Sequence, residues 1–193
     1  TQNDSLKRLD LQLIAMIADA KEKLKEKNIL VRDKVLMLGF SASGMFVNRL
    51  PFLHPELVLA AAIGSPGGWP IVQIKKYNNV YLNYPVGIND FEEISGKDFN
   101  EDELKKVNIY FFLGEQDEND SVVFDDGYDE PERKVIIDNF GMNLQERWLI
   151  CKKIYEENQF KNCVFKIYPG VGHKINNKII GDLMNYFDNV NGK

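Results

Sequence analysis

Four short apolar runs constrain this chain more than any other feature: "KVLMLGF", "ELVLAAAIG", "VNIYFFLG" and "CVFKIY". Each reads as a strand. "KVLMLGF" shows no alternation of apolar with polar residues, the look of a strand covered on both faces of a parallel sheet. Amphipathic segments lie around them. "DLQLIAMIADAKEKLKEKN" repeats Leu13, Ile14, Ile17 and Leu24 at helical spacing, with Asp10 placed to cap and lysines gathered toward the end. That spacing predicts a helix from about 11 to 27.

"SGMFVNRLPFLHP" predicts a second helix, ended by the His54–Pro55 step because proline disfavours helix in the residue before it. Asn143 to Asn158 opens on a capping-box pair, Asn143 and Glu146, and continues with Leu144, Trp148, Cys151 and Tyr155. A closing helix carries Ile179, Ile180, Leu183 and Phe187. Residues 66–104 are weakly patterned and rich in aromatics: Trp69, Tyr77, Tyr81, Tyr84, Phe91 and Phe99. They read as an insertion, serving either as a lid or acyl-binding wall or as a small satellite core. The order α-β-α-β-insertion-β-α-β-α predicts one α/β domain over residues 1–193, with a parallel sheet flanked by helices.

Functional groups in such sheets collect just past the carboxyl ends of the strands. The first run ends in "GFSASG", placing Ser41 on the strand-to-helix turn. Small residues stand two before and two after it, Gly39 and Ser43, and Gly44 lets the following helix start close to the sheet. Such a turn displays a hydroxyl as a nucleophile. The plainer reading is that Ser41 caps the helix. The third run ends in "LGEQDEND", where Asp117 could orient a histidine and Asp120 is a rival for that role. The fourth ends in "YPGVGH" and offers His173 as a general base. The only other histidine, His54, sits at a helix end and suits a cap or a satisfied surface position.

Ser, Asp and His in that chain order, each beyond a strand, resemble the α/β-hydrolases. The pieces that match are "LMLGFSASGMF" as the nucleophile elbow, "FFLGEQD" as the acid turn and "YPGVGH" as the histidine turn. Ser43 stands where the G-x-S-x-G pattern has glycine. The resemblance implies a serine hydrolase that cleaves an ester, less readily an amide, through an acyl-enzyme. Ser41 would attack, His173 would act as base and Asp117 would hold it. The backbone N–H of Ala42 would supply half of the oxyanion hole. It implies no metal and no cofactor, and a small-molecule ester or acyl substrate. A non-catalytic binding protein on the same fold and an acyltransferase are the alternatives.

In this family the second oxyanion donor comes from a loop after an earlier strand, and no such strand precedes residue 10. With four strands the elbow strand would lie at an edge, yet it reads as buried on both faces. The expectation is therefore a C-terminal part of a hydrolase domain, with N-terminal strands elsewhere.

The remaining signals are weaker. A net charge of -5 gives no electrostatic pull toward nucleic acid. No apolar run approaches the roughly 20 residues of a membrane span. The polar start "TQNDSLKRLD" is not a secretory signal, so a cytoplasmic location is expected unless a signal or anchor lies upstream. Cys151 and Cys163 fit neither a disulfide framework nor a zinc site and read as buried free thiols. "DENDSVVFDDGYDEPE" is dense in acids, lacks EF-hand spacing and reads as a solvated loop. Asn3 and Asn119 each open an N-x-S sequence, which carries little weight alone.

Overall fold

The computed structural model describes residues 8–124 and 127–192. Asn3, Asp125 and Asp126 lie outside the described residues. The chain divides into two compact units, the first ending at Val35 and the second beginning at Leu36.

In the first unit, helix α1 spans Leu9–Glu26. Its stripe of Leu13, Ile14, Ile17 and Leu24 is half-buried, and Leu11 and Met16 are exposed. Asp10 does not cap it. The N-cap position belongs to Arg8, in the left-handed conformation, and Asp10 lies inside the first turn with Arg8 Nη2 2.8 Å from its carboxylate. The ion pair takes the oxygens that a cap would have aimed at backbone amides.

In the second unit four strands form one sheet in the order β1 (Val35–Phe40), β2 (Val58–Gly64), β5 (Asn108–Gly114), β6 (Cys163–Tyr168). β2 and β5 run parallel, as do β5 and β6, with Gly64 opposite Phe112 and Gly114 opposite Tyr168. The central pair is buried along nearly its whole length, as runs without alternation require. One face carries Ala62, Tyr110, Phe112 and Tyr168 against Ile179 and Leu183 of helix α7 (Asn177–Val190). The other carries Phe111 and Phe165, stacked 4.5 Å apart and met by Trp148 and Tyr155 of helix α6 (Leu144–Glu157). Two aromatic layers thus cover the sheet and fix the carboxyl ends of its strands along one rim.

β1 lies at the sheet edge beside β2, as a count of four strands gives, but it is not buried on both faces: Leu36 and Leu38 are 41% and 52% exposed. Apolar composition sets which residues can be buried. Burial itself needs a layer on each face, and the described residues cover these two side chains only in part.

Between β1 and β2 runs α2 (Ala42–Leu53), with His54 at its C-cap. His54 is buried, not a surface residue, and its Nδ1 lies 3.5 Å from Glu56 Oε1.

The stretch 66–104 holds a hairpin of β3 (Lys76–Tyr77) and β4 (Val80–Tyr81), then short helices α3 (Phe91–Ser95) and α4 (Glu101–Leu104). Asn78 and Asn79 both have positive φ, the geometry of the two-residue turn that suits strand twist. Trp69, Ile71, Val72, Leu82, Val86 and Phe91 are buried. The Trp69 ring stacks 4.1 Å from Phe140, and Tyr155 donates to the Ile71 carbonyl at 2.8 Å.

The acidic stretch is not simply a solvated loop. Asp117 and Asp120 are buried, and its end begins helix α5 (Glu130–Phe140), absent from the expected order. Asp129 caps α5 in a complete capping box with Glu132. Cys151 is buried and Cys163 half-buried, both free. Burial pushes the Cys163 thiol up to about 12 and Cys151 up as well.

Candidate active site

The turn after β1 is tight because glycine and serine make it so. A Cβ on Gly39 would stand 2.3 Å from the Ser43 carbonyl oxygen and 2.8 Å from Val47 Cγ2, so only glycine fits there. Ser43 closes the turn. Its Oγ donates to the Phe40 carbonyl at 2.8 Å and accepts from the Phe40 amide at 2.9 Å. A glycine at this position could make neither bond, which gives the departure from G-x-S-x-G a physical role.

The turn forces Ser41 to φ 59° and ψ -127°, a conformation that costs a non-glycine residue of order 1–3 kcal/mol. Ser41 occupies the N-cap position of α2, but its hydroxyl makes no capping hydrogen bond, and no bond to any described residue is formed. The capping role therefore does not account for the residue. Its backbone N–H is bound to the Gly64 carbonyl at 3.0 Å, which fastens the turn to β2. Ala42 is the first residue of α2, and a helix's first amides have no intrahelical acceptor.

The turns after β5 and β6 interlock. A Cβ on Gly114 would sit 2.2 Å from the Val171 carbonyl oxygen, so its absence lets the histidine turn lie against the end of β5. Gln116 then donates to the Val171 carbonyl at 2.9 Å, and the Gly170 amide donates to Glu115 Oε2 at 2.9 Å. Gln145 of α6 donates to the Asp117 carbonyl at 3.0 Å.

This clamp brings Asp117 and His173 together. His173 Nδ1 is 3.0 Å from both carboxylate oxygens of Asp117, which is 1% exposed. A carboxylate only accepts, so Nδ1 carries the proton and Nε2 of the neutral ring presents a lone pair. Asp117 also accepts from the Ser65 hydroxyl at 2.6 Å and from the Asn119 amide at 3.0 Å. Those two bonds hold its oxygens in place and offset the cost of its burial. Phe40 packs its ring on the imidazole, centroids 4.7 Å apart. Asn119 Nδ2 lies 2.9 Å from Nε2.

Asp120, the rival acid, faces elsewhere. One oxygen pairs with Arg147, the other accepts from the Val122 amide at 3.0 Å, and Arg147 is fully buried. Sequence reasoning overlooked Ser65, Asn119 and Phe40. Ser65 was within reach: it follows β2 as Ser41 follows β1, and at φ 44° its backbone is also left-handed. No local signal marks Asn119.

No protein-family model matches the chain, and no curated protein does. Solved structures do. SOBER1 of Arabidopsis thaliana matches with a TM-score of 0.52 at 20% identity, over 93% of this chain and 63% of that one. A single-residue variant of SOBER1 gives a TM-score of 0.52 at 18% identity, over 97% and 66%. Est1E from Butyrivibrio proteoclasticus is a weaker likeness, with a TM-score of 0.45 at 15% identity over 93% and 69%. The chain thus spans 63% to 66% of the SOBER1 chains. The likeness is one of fold: a mostly parallel sheet flanked by helices, of the α/β-hydrolase type. No described helix is long and apolar enough to cross a membrane.

Proposed function

We propose that the protein is a serine hydrolase that cleaves a carboxylic ester, less readily an amide, of a small molecule. The observation that carries this reading is the 3.0 Å bond from His173 Nδ1 to a buried Asp117, on the rim where Ser41 stands in a left-handed turn. The sheet flanked by helices that the chain shares with SOBER1 agrees with it.

In the reaction, His173 Nε2 takes the Ser41 proton as Oγ bonds to the acyl carbon. The tetrahedral oxyanion faces the Ala42 N–H. The bond to the leaving oxygen then breaks, and Nε2 returns the proton to the departing alcohol. Water, deprotonated by the same nitrogen, then attacks the acyl carbon; the bond to Oγ breaks, Nε2 returns the proton to Oγ, and the acid leaves. Asp117 stabilises the imidazolium in both halves. An alcohol in place of water would make the same steps an acyl transfer. A second oxyanion donor is needed for full rate, since loss of one typically costs about 100- to 1000-fold.

A fluorophosphonate probe tests the proposal, with peptide mass spectrometry to locate the adduct. The expected result is an adduct on Ser41 that is lost in His173→Ala. A folded protein that never reacts would leave a ligand-binding role on the same fold. That second reading is favoured by one observation: Nε2 is bonded to Asn119, not to Ser41.

A further inference from the structure

The nitrogen that must accept the Ser41 proton is already occupied. Asn119 Nδ2 lies 2.9 Å from His173 Nε2, and the Asn119 side chain makes no other hydrogen bond among the described residues. The Ser41 hydroxyl has no partner among them either. With Nδ1–H given to Asp117, the neutral ring offers one lone pair, and Asn119 and Ser41 compete for it.

We propose that Asn119 is a positioning residue that parks His173, capping Nε2 in the resting protein and yielding it to Ser41 when a substrate is seated. The proposal rests on the hydrolase reading above. The local geometry makes the exchange easy. The Asn119 backbone is held by its own N–H to Asp117 Oδ1 at 3.0 Å, so the amide can leave Nε2 by side-chain rotation alone. Asn119 is exposed, so its released amide finds water. The imidazole stays where it is, fixed by Asp117 at Nδ1 and by the Phe40 ring at 4.7 Å. Parking also preserves the productive tautomer: an amide N–H at Nε2 is compatible only with the proton at Nδ1.

The substitution that isolates this role is Asn119→Ala, which removes the cap and keeps the backbone N–H to Asp117. The limiting rate of Ser41 phosphonylation is expected to rise about 2- to 10-fold, the span of one ordinary hydrogen bond, with the half-saturating probe concentration unchanged. The imidazole 15N spectrum supplies a readout that needs no turnover. The His173 Nε2 resonance of the neutral ring should shift in Asn119→Ala, while Nδ1 keeps its proton. A merely structural role would slow labelling or leave the rate alone. If Ser41 labels in the wild type and Asn119→Ala labels no faster, or if Nε2 does not shift, the parking role is wrong and the hydrolase reading stands. If neither protein labels, the hydrolase reading falls and parking falls with it.

Discussion

Asp120 and Asp117 are separated by two residues, yet they have different partners, and one substitution separates them. Asp120 pairs with Arg147, whose side chain is wholly buried while that of Asp120 is 10% exposed. Nε and Nη1 of Arg147 have no hydrogen-bond partner, so the pair with Asp120 is the main compensation for a buried guanidinium. Asp120→Asn keeps the shape and the acceptor for the Val122 amide but removes the charge. Arg147 is then left charged and unpaired, a situation that costs about 3–5 kcal/mol. For a domain of this size each kcal/mol moves the midpoint by about 2–4 °C, so Tm should fall by roughly 6–20 °C. Labelling of Ser41 at a temperature where the variant is folded should stay close to wild type. The double variant Asp120→Asn with Arg147→Met removes the stranded charge and should recover most of the loss. Thermal unfolding followed by circular dichroism, with labelling in parallel, decides the matter. Should Asp120→Asn unfold within about 2 °C of the wild type while losing the label, Asp120 is the orienting carboxylate and the stabilising role given to it here is wrong.

Two other perturbations test the turn and the Cys163 thiol. Gly39→Ala places a methyl 2.3 Å from the Ser43 oxygen and should destabilise by about 1–3 kcal/mol in urea, with a sharper loss of Ser41 labelling; unchanged values would show that the turn has room its geometry denies. Burial holds the Cys163 thiol and the Tyr128 hydroxyl up at about 12, against ordinary values of 9.0 and 10.0. Both groups lose their protons more readily unfolded, so the stability they confer is whole below about pH 9 and declines from there toward pH 12. The decline is about 1.4 kcal/mol per pH unit for each group in its window. Urea midpoints measured from pH 7 to 11 should show it, and Cys163→Ser should make its first part shallower, leaving the share that Cys151 contributes; a midpoint that is level across that range contradicts the assignment.

The sheet and the three turns that end its strands were legible because they rest on local rules. Unbroken apolar runs mark the central strands, and Gly39, two residues before Ser41, and Gly172, just before His173, mark where the chain must turn sharply. The edge exposure of Leu36 and Leu38 was not legible, since composition does not say how many neighbours a strand has. Helix α5 carried its signal in Asp129 and Glu132, three residues apart, but the acidic run around it masked the pattern. The burial of Asp120 depends on Arg147, 27 residues further on, and the bond from Asn119 to His173 spans 54. Such partnerships exist only once the fold has brought the segments together.

Phe40 connects what the turns keep apart. Its backbone is clasped at both polar atoms by Ser43, and its ring lies against His173 on one side and 6.2 Å from Phe112 on the other. The serine turn and the imidazole therefore share a common wall, built from the last residue of an edge strand. A displacement of β1 would reach His173 through that aromatic contact without passing through the acid turn. The distance between the Ser41 turn and the His173 ring is thus set at the outer margin of the sheet, by the position of its edge strand.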